Sequence, residues 1–196
     1  CSSDLARLEV RVERAAEGEL LAAEIRGPLI ARREHAPVAW MGDNRRDRVG
    51  LIDALDHMFR SARAGYVVLG SDVGGYLNFD DVNMSIQVPF NQINFVRWVA
   101  VGAMCPFMQL HGRGNLTPWT VTPNTDETIS TYRYWAKLHV QLGPYLFSTG
   151  EAAYRGKGDV ILRPLGPEAA WPGDYRYLLG NAFRLCAEPA MAAVSK

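Results

Sequence analysis

The stretch Trp40-Met41-Gly42-Asp43-Asn44 ends an apolar run that begins with Ala36-Pro37-Val38-Ala39. A short apolar run that stops abruptly at Gly-Asp-Asn is typical of a buried β-strand followed by a polar loop. The pattern predicts a strand over residues 36–40 with the Asp43 carboxylate at its C-terminal end. Asp43 is therefore the first candidate for chemistry, although an aspartate after a glycine is commonly a turn or N-cap residue.

The same pattern of an apolar run followed by a polar turn recurs twice. Tyr66-Val67-Val68-Leu69 stops at Gly70-Ser71-Asp72-Val73-Gly74-Gly75-Tyr76, and a third apolar run over residues 104–110 is closed by His111. Each run predicts a strand. Each also brings a polar or ionisable side chain to the end of its strand.

Helices are predicted between these strands. Apolar residues at helical spacing form one face of a helix that ends at Gly65: Leu51, Leu55, Met58, Phe59 and Ala62. Further helices are predicted over residues 5–25, 90–102 and 126–147, and a further short strand over 29–31. Alternating strands and helices predict an α/β fold with a parallel sheet. Asp43, Asp72 and His111 would then meet at the C-terminal ends of the strands, where enzymes of this architecture carry out their chemistry.

Composition narrows the classes of partner. The chain has 196 residues, 48% of them hydrophobic, with 21 basic and 21 acidic residues. The balanced charge, without a Lys/Arg block, gives no case for nucleic acid or an anionic membrane surface and favours a small neutral ligand. Three widely spaced cysteines without a CxxC pattern predict neither a disulfide framework nor a zinc site.

The sequence contains no signal-peptide core and no apolar run long enough to span a membrane. The cellular location is left open, with the cytoplasm as the default, and the oligomeric state is unknown. Beyond Gly156, short apolar runs at 159–164 and 175–179 between Pro/Gly turns predict strands of a different kind. A domain boundary is therefore predicted there, which divides the chain into residues 1–155 and 156–196.

Four ordered motifs resemble glycoside hydrolase family 31, the α-glucosidase and α-xylosidase family. They are Trp40-Met41-Gly42-Asp43-Asn44, Gly70-Ser71-Asp72-Val73-Gly74-Gly75-Tyr76, Phe95-Val96-Arg97-Trp98 and Phe107-Met108-Gln109-Leu110-His111-Gly112. Their order and spacing match as well, and the likeness covers about residues 28–188. The resemblance implies the C-terminal portion of a (β/α)8 TIM barrel followed by the start of a β-sandwich domain.

The resemblance also implies an activity, the retaining hydrolysis of an α-glycosidic bond by two carboxylates. Asp43 matches the acid/base aspartate of the family. The implied partner is an α-linked oligosaccharide or α-glucoside, and two-carboxylate chemistry needs no metal or organic cofactor. α-Xylosidase and sulfoquinovosidase activities remain alternatives within the family.

The resemblance assigns substrate-binding roles to Arg32, Trp40, Asp72, Tyr76 and His111. Tyr76 stands where the family usually has Phe, and Asp72 is equally well interpreted as a turn residue that binds the backbone of the two following glycines. The loop after Arg32 is shorter than in the family, so Arg26 is an alternative to Arg32 as the arginine of the sugar pocket.

The nucleophile of the family lies in a Trp-x-Asp-Met-Asn-Glu-like motif, and this sequence contains no such motif. We therefore expect the chain to be a C-terminal fragment of a longer enzyme that is inactive alone. The alternative from another class is a non-catalytic sugar-binding protein. A nucleophile motif encoded upstream in frame would favour the hypothesis of an enzyme fragment. A start codon adjoining Cys1 would favour the hypothesis of a sugar-binding protein.

Overall fold

The computed structural model describes residues 38–80, 82–113, 117–121, 123–165 and 176–186. The helix predicted over 5–25, the strand over 29–31 and both candidate arginines, Arg26 and Arg32, lie outside the described residues. The elements in chain order are β1 (Val38–Trp40), α1 (Arg48–Arg63), β2 (Val68–Gly70), α2 (Gln92–Ala103), α3 (Thr125–Tyr154), β3 (Leu162–Pro164), β4 (Arg176–Leu179) and β5 (Phe183–Cys186).

A parallel pair of strands carries the first two polar turns. β1 and β2 run in the same direction, with Val38 opposite Val68 and Trp40 opposite Gly70. Parallel strands need a crossover, and α1 supplies it. The parallel α/β arrangement predicted from the sequence is therefore present. β1 is less buried than predicted, and Val38 is 43% exposed. The reason is that, within the described residues, β1 has a strand neighbour on one side only.

The third predicted strand forms only in part. Met104 and Cys105 belong to the C-terminal turn of α2, where their amides bond to Val101 and Gly102. Pro106 has no amide hydrogen to contribute to a ladder. Pairing with β2 therefore begins at Phe107, whose N–H donates to Leu69 O at 3.2 Å, and reaches the parallel bridge between Asp72 and Gln109. His111 follows this partial strand as expected.

Helix α1 closely follows its sequence pattern. Asp47 caps its N-terminus by accepting a hydrogen bond from Gly50 N at 3.1 Å. Its five predicted apolar positions are all buried in the largest hydrophobic cluster, at 3% exposure or less: Leu51, Leu55, Met58, Phe59 and Ala62. This helix therefore covers one face of the parallel strands.

The other two helices differ from prediction mainly at their ends. The helix predicted over 90–102 is α2, capped by Asn91. The helix predicted over 126–147 is α3, which continues through Pro144 and extends to Tyr154. Its extra turns bury Gly150 beside Val67 and Ile161, a tertiary contact with no local sequence signal.

The C-terminal strands form one antiparallel sheet in the order β3-β4-β5. β3 and β4 correspond to the strands predicted at 159–164 and 175–179, whereas β5 was not predicted. Leu162, Tyr177 and Leu179 belong to the same buried cluster as Met58 and Phe59 of α1. The sheet beyond Gly156 therefore shares a core with the parallel part. In the residues that the structure describes, no helix combines the length and hydropathy needed to cross a bilayer.

Candidate active site

The candidate site lies where the three parallel segments end. Trp40 is the last residue of β1, and Asp72 follows β2. Gln109 belongs to the partial strand beside β2, and His111 follows that strand. Gly42, with φ of 81°, adopts a backbone conformation that other residues rarely tolerate, and so turns the chain directly after β1. Asp43 therefore sits at the rim of the sheet, exposed to solvent.

Asp72 links all three segments through its side chain. Trp40 Nε1–H donates to Asp72 Oδ1 at 2.7 Å, and Gln109 Nε2–H donates to the same oxygen. The side chain is fully buried, at 0% exposure, and Asp72 Oδ2 finds no hydrogen-bond partner among the residues that the structure describes. The turn itself is closed by main chain, with Gly75 N donating to Asp72 O at 2.9 Å.

This arrangement differs from the interpretation of Asp72 as a turn residue that binds the backbone of the following glycines. The carboxyl group bonds to side chains 32 and 37 residues away and not to the glycine amides of its own turn. The sugar contact implied by the resemblance stays a prediction.

Burial changes the acidity of Asp72. Desolvation raises its pKa from 3.8 to about 6, and the nearby Asp43 charge acts in the same direction. Hydrogen bonds from Trp40 and Gln109, and the charge of His111, oppose that rise because they favour the carboxylate form.

Asp43 has a raised pKa for a similar reason. Partial desolvation raises its pKa above 3.8, while the positive charges of His111 and Arg113 act in the lowering direction. A raised pKa and an exposed side chain both favour proton donation to a leaving group. Asp43 has both properties, and its role as the acid stays a prediction.

Tyr76 and His111 form the second side of the site. Their rings lie 4.9 Å apart between centroids, at an interplanar angle of 34°. Arg113 N donates to Tyr76 O at 2.9 Å, and the Arg113 guanidinium carbon lies 4.9 Å above the ring of Phe79. These contacts hold the loop after the partial strand against the loop after β2.

The loops that carry Asp43 and Tyr76 are also paired directly. Leu77 N donates to Asn44 O at 2.9 Å, and Arg46 N donates to Leu77 O at 3.0 Å. Arg45 forms ion pairs with Asp80 on one loop and with Asp47, at 2.5 Å, on the other. The loop that carries Asp43 is thus joined to the loop that carries Tyr76.

The structure brings together Asp43, Trp40, Asp72, Tyr76 and His111, and Arg32 lies outside the described residues. Two neighbours were not predicted from the sequence, Gln109 and Arg113. Gln109 had a usable signal, because it stands two residues before His111 and alternate residues of a strand share a face. Arg113 had none, since its proximity to Asp43 depends on how its loop folds.

The Arg113→Met variant should raise the pKa of Asp43 further. Arg113 favours the ionised form of that carboxyl group, so removing its charge should move the titration midpoint to higher pH. The midpoint can be followed by NMR of the Asp43 carboxyl carbon. Arg133→Met, a matched loss of charge on α3, should leave it unchanged, and equal midpoints in all three proteins would refute the electrostatic coupling.

The family model described as the glycosyl hydrolases family 31 TIM-barrel domain matches residues 29–149. An α-xylosidase of Saccharolobus solfataricus is 26% identical over 161 residues, which are 79% of this chain and 21% of that protein. The lysosomal α-glucosidase of Mus musculus is 26% identical over 148 residues, 73% of this chain and 14% of that protein.

A solved structure shares the fold over most of this chain. A family 31 sulfoquinovosidase from E. rectale, in complex with an aza-sugar inhibitor, aligns with a TM-score of 0.56 at 23% identity, covering 72% of this chain and 21% of that one. The chain therefore spans about a fifth or less of the curated relatives' length. The match to the family model ends within α3, before the C-terminal sheet.

Proposed function

The chain belongs to glycosyl hydrolases family 31, and from this membership we propose that it supplies the acid/base half of a retaining α-glycosidase, with an α-glucoside as substrate. The observation that carries the proposal is the carboxyl group of Asp43, which is exposed at the end of a strand and has a raised pKa. Next to it, Trp40 donates a hydrogen bond to the buried Asp72.

In the proposed reaction Asp43 acts twice. Its carboxyl group first protonates the glycosidic oxygen while a nucleophile captures the sugar, and the resulting carboxylate then removes a proton from the water that releases the product. Retention requires the two carboxyl groups to lie roughly 5–5.5 Å apart. The raised pKa of Asp43 supports the first step, since the acid must enter the reaction protonated.

Asp72 does not fit the role of nucleophile. Its side chain is fully buried, and Oδ1 already accepts two hydrogen bonds, so it lacks the access that attack on an anomeric carbon needs. The sequence also lacks the nucleophile motif of the family. Because the curated relatives are about five to seven times longer than the region they share with this chain, we propose that the nucleophile lies on a further segment of the enzyme.

The sugar pocket is proposed to form around the aromatic and polar side chains at the rim. Trp40, Tyr76 and His111 provide ring faces and hydrogen-bonding groups suited to a hydroxylated ring, and Arg32 is proposed to complete the pocket. Asp72 is proposed to contribute to binding of the same sugar. In this conformation it would do so indirectly, by holding the Trp40 side chain. Two-carboxylate hydrolysis requires no metal or organic cofactor.

The alternatives in substrate remain within the family. The names of the relatives include an α-xylosidase, and that of the solved structure a sulfoquinovosidase. Tyr76, which stands in place of the usual Phe, keeps the second alternative open because its hydroxyl group adds a polar contact. A non-catalytic sugar-binding role is the alternative from another class.

We also propose the domain organisation implied by the resemblance. Residues 1–155 would be the C-terminal part of the barrel, and 156–196 the start of a β-sandwich. The antiparallel sheet β3-β4-β5 supports the second part, because such sheets are the units from which sandwiches are built.

The product anomer is the direct test of the reaction. The chain, expressed with any coding sequence that adjoins it in frame, would be incubated with the para-nitrophenyl α-glycosides of glucose, xylose and sulfoquinovose. We expect hydrolysis of the glucoside above the other two, with the α-anomer released first in proton NMR. Release of the β-anomer would exclude the retaining mechanism, preference for another sugar would select one of the alternatives, and binding of glucose without any turnover would favour the binding role.

A further inference from the structure

The Gln109 side chain belongs to a hydrogen-bonded group that joins all three parallel segments. Its amide reaches Asp72 from the partial strand, while the Trp40 indole reaches the same oxygen from β1. Gln109 is partly buried, and Trp40 lies at the rim. A single buried carboxyl group thus fixes an indole at the edge of the site.

The bonding around Asp72 is asymmetric. A carboxylate oxygen has two lone pairs, and both acceptor positions of Oδ1 are occupied by N–H groups. Oδ2 is buried without a partner in the described part of the chain. When Asp72 binds a proton, that proton must therefore sit on Oδ2, so the two donors on Oδ1 need not be displaced.

We propose that Gln109 is a positioning residue, whose amide holds the Asp72 carboxyl group in the orientation that fixes the Trp40 indole at the sugar pocket. The effect on catalysis rests on the proposed function, whereas the effect on the indole does not. Neither the family match nor the sequence motifs assign this role to Gln109.

A packing role alone makes a different prediction. Gln109→Met keeps the length and approximate volume of the side chain but removes the amide donor, so a purely steric role would survive it. In the positioning role, the loss of one hydrogen bond to the charged form of Asp72 makes protonation easier. Gln109→Arg restores a donor and adds a positive charge, and should have the opposite effect.

The charged groups that act on Asp72 have to be considered together. Asp43 favours the protonated form of Asp72 and His111 its ionised form, and both residues are kept in the two variants. Their contributions should therefore remain, and the difference between the variants reports the bond from residue 109.

The test follows the indole N–H signal of Trp40 by NMR as the pH is varied, with Trp40→Phe to assign it and Asp72→Asn to identify the titrating group. In the unaltered chain the signal should titrate with Asp72. Gln109→Met should raise the midpoint by about one pH unit, as expected for the loss of one hydrogen bond to a charged acceptor. Gln109→Arg should lower it.

The signal of Trp98 serves as the folding control, because its indole donates to Ser71 Oγ at 2.8 Å in the core. If Gln109→Met loses that signal, the test rests on Gln109→Arg, in which the midpoint of the Trp40 titration should move to lower pH. Unchanged midpoints in a folded variant would overturn the proposal. In the active enzyme, Gln109→Met should lower kcat/KM roughly tenfold and move the acidic limb of its pH profile upward; failure of the proposed function would leave the NMR result intact.

Discussion

In the longer enzyme that the proposed function requires, replacement of Asp43 by Asn should lower kcat/KM for maltose, whose leaving group is poor, by roughly 10²–10⁴-fold. The amide cannot protonate the glycosidic oxygen, so the departing sugar would have to leave as an alkoxide. For a dinitrophenyl α-glucoside the first step should be largely spared, because that leaving group departs without protonation. Single-turnover release of the phenol, compared with steady-state hydrolysis of maltose, separates the two effects.

The matched control is Asp126→Asn, which changes the same group at an exposed position in the first turn of α3. It should leave both substrates unaffected. If Asp43→Asn hydrolyses maltose at the rate of the unaltered enzyme, Asp43 is not the acid. If both substrates lose their first step equally, Asp43 has some role other than proton donation.

Gly70→Ala should destabilise the protein by about 3 kcal/mol, near the upper end of the cost of overpacking. A Cβ at this position would lie 2.0 Å from Phe107 O and 2.9 Å from Phe107 C, both of them main-chain atoms that cannot rotate away. The partial strand would have to separate from β2. Since Gly70 O also accepts a hydrogen bond from Met41 N, both neighbours of β2 would be affected.

Urea unfolding of the two alanine variants measures the effect. Gly150→Ala is the control, because a Cβ there would meet Ile161 and Val67 at 3.7 and 3.8 Å, which are ordinary contacts. In the helix interior that change should stabilise by up to about 1 kcal/mol. Equal stability of both variants would contradict the steric argument. Loss of the Trp40 indole titration in Gly70→Ala would connect the strand contact to the site.

The elements that the sequence predicted well are those with local determinants. Helix α1 repeats its apolar residues at helical spacing and carries its own cap, so its pattern alone was sufficient. β5 was missed because Arg184 interrupts its apolar residues and the strand is defined by its pairing with β4. The third strand was predicted to be too long, because residues 104–110 were interpreted as one apolar run. The first of these residues end α2, and Pro106 has no N–H group for strand pairing.

The sequence predicted which residues form the candidate site better than it predicted the contacts between them. The recurrence of polar residues after apolar runs indicated Asp43, Asp72 and His111 together, and the structure places them at one edge. The sequence could not decide between a turn role and a ligand role for Asp72. Its actual partners are two side chains far away in the chain, and no local pattern encodes such a pairing.

The sequence by itself determined the family, the alternation of strands and helices, and the position of Asp43 after its strand, because ordered motifs and periodic burial are properties of the linear chain. Only the tertiary structure decided that Asp72 is buried, that it bonds to Trp40 and Gln109, and that its pKa rises to about 6. The physical reason is that desolvation and hydrogen bonding depend on which distant residues surround a group. Those neighbours are set by packing of the whole sheet.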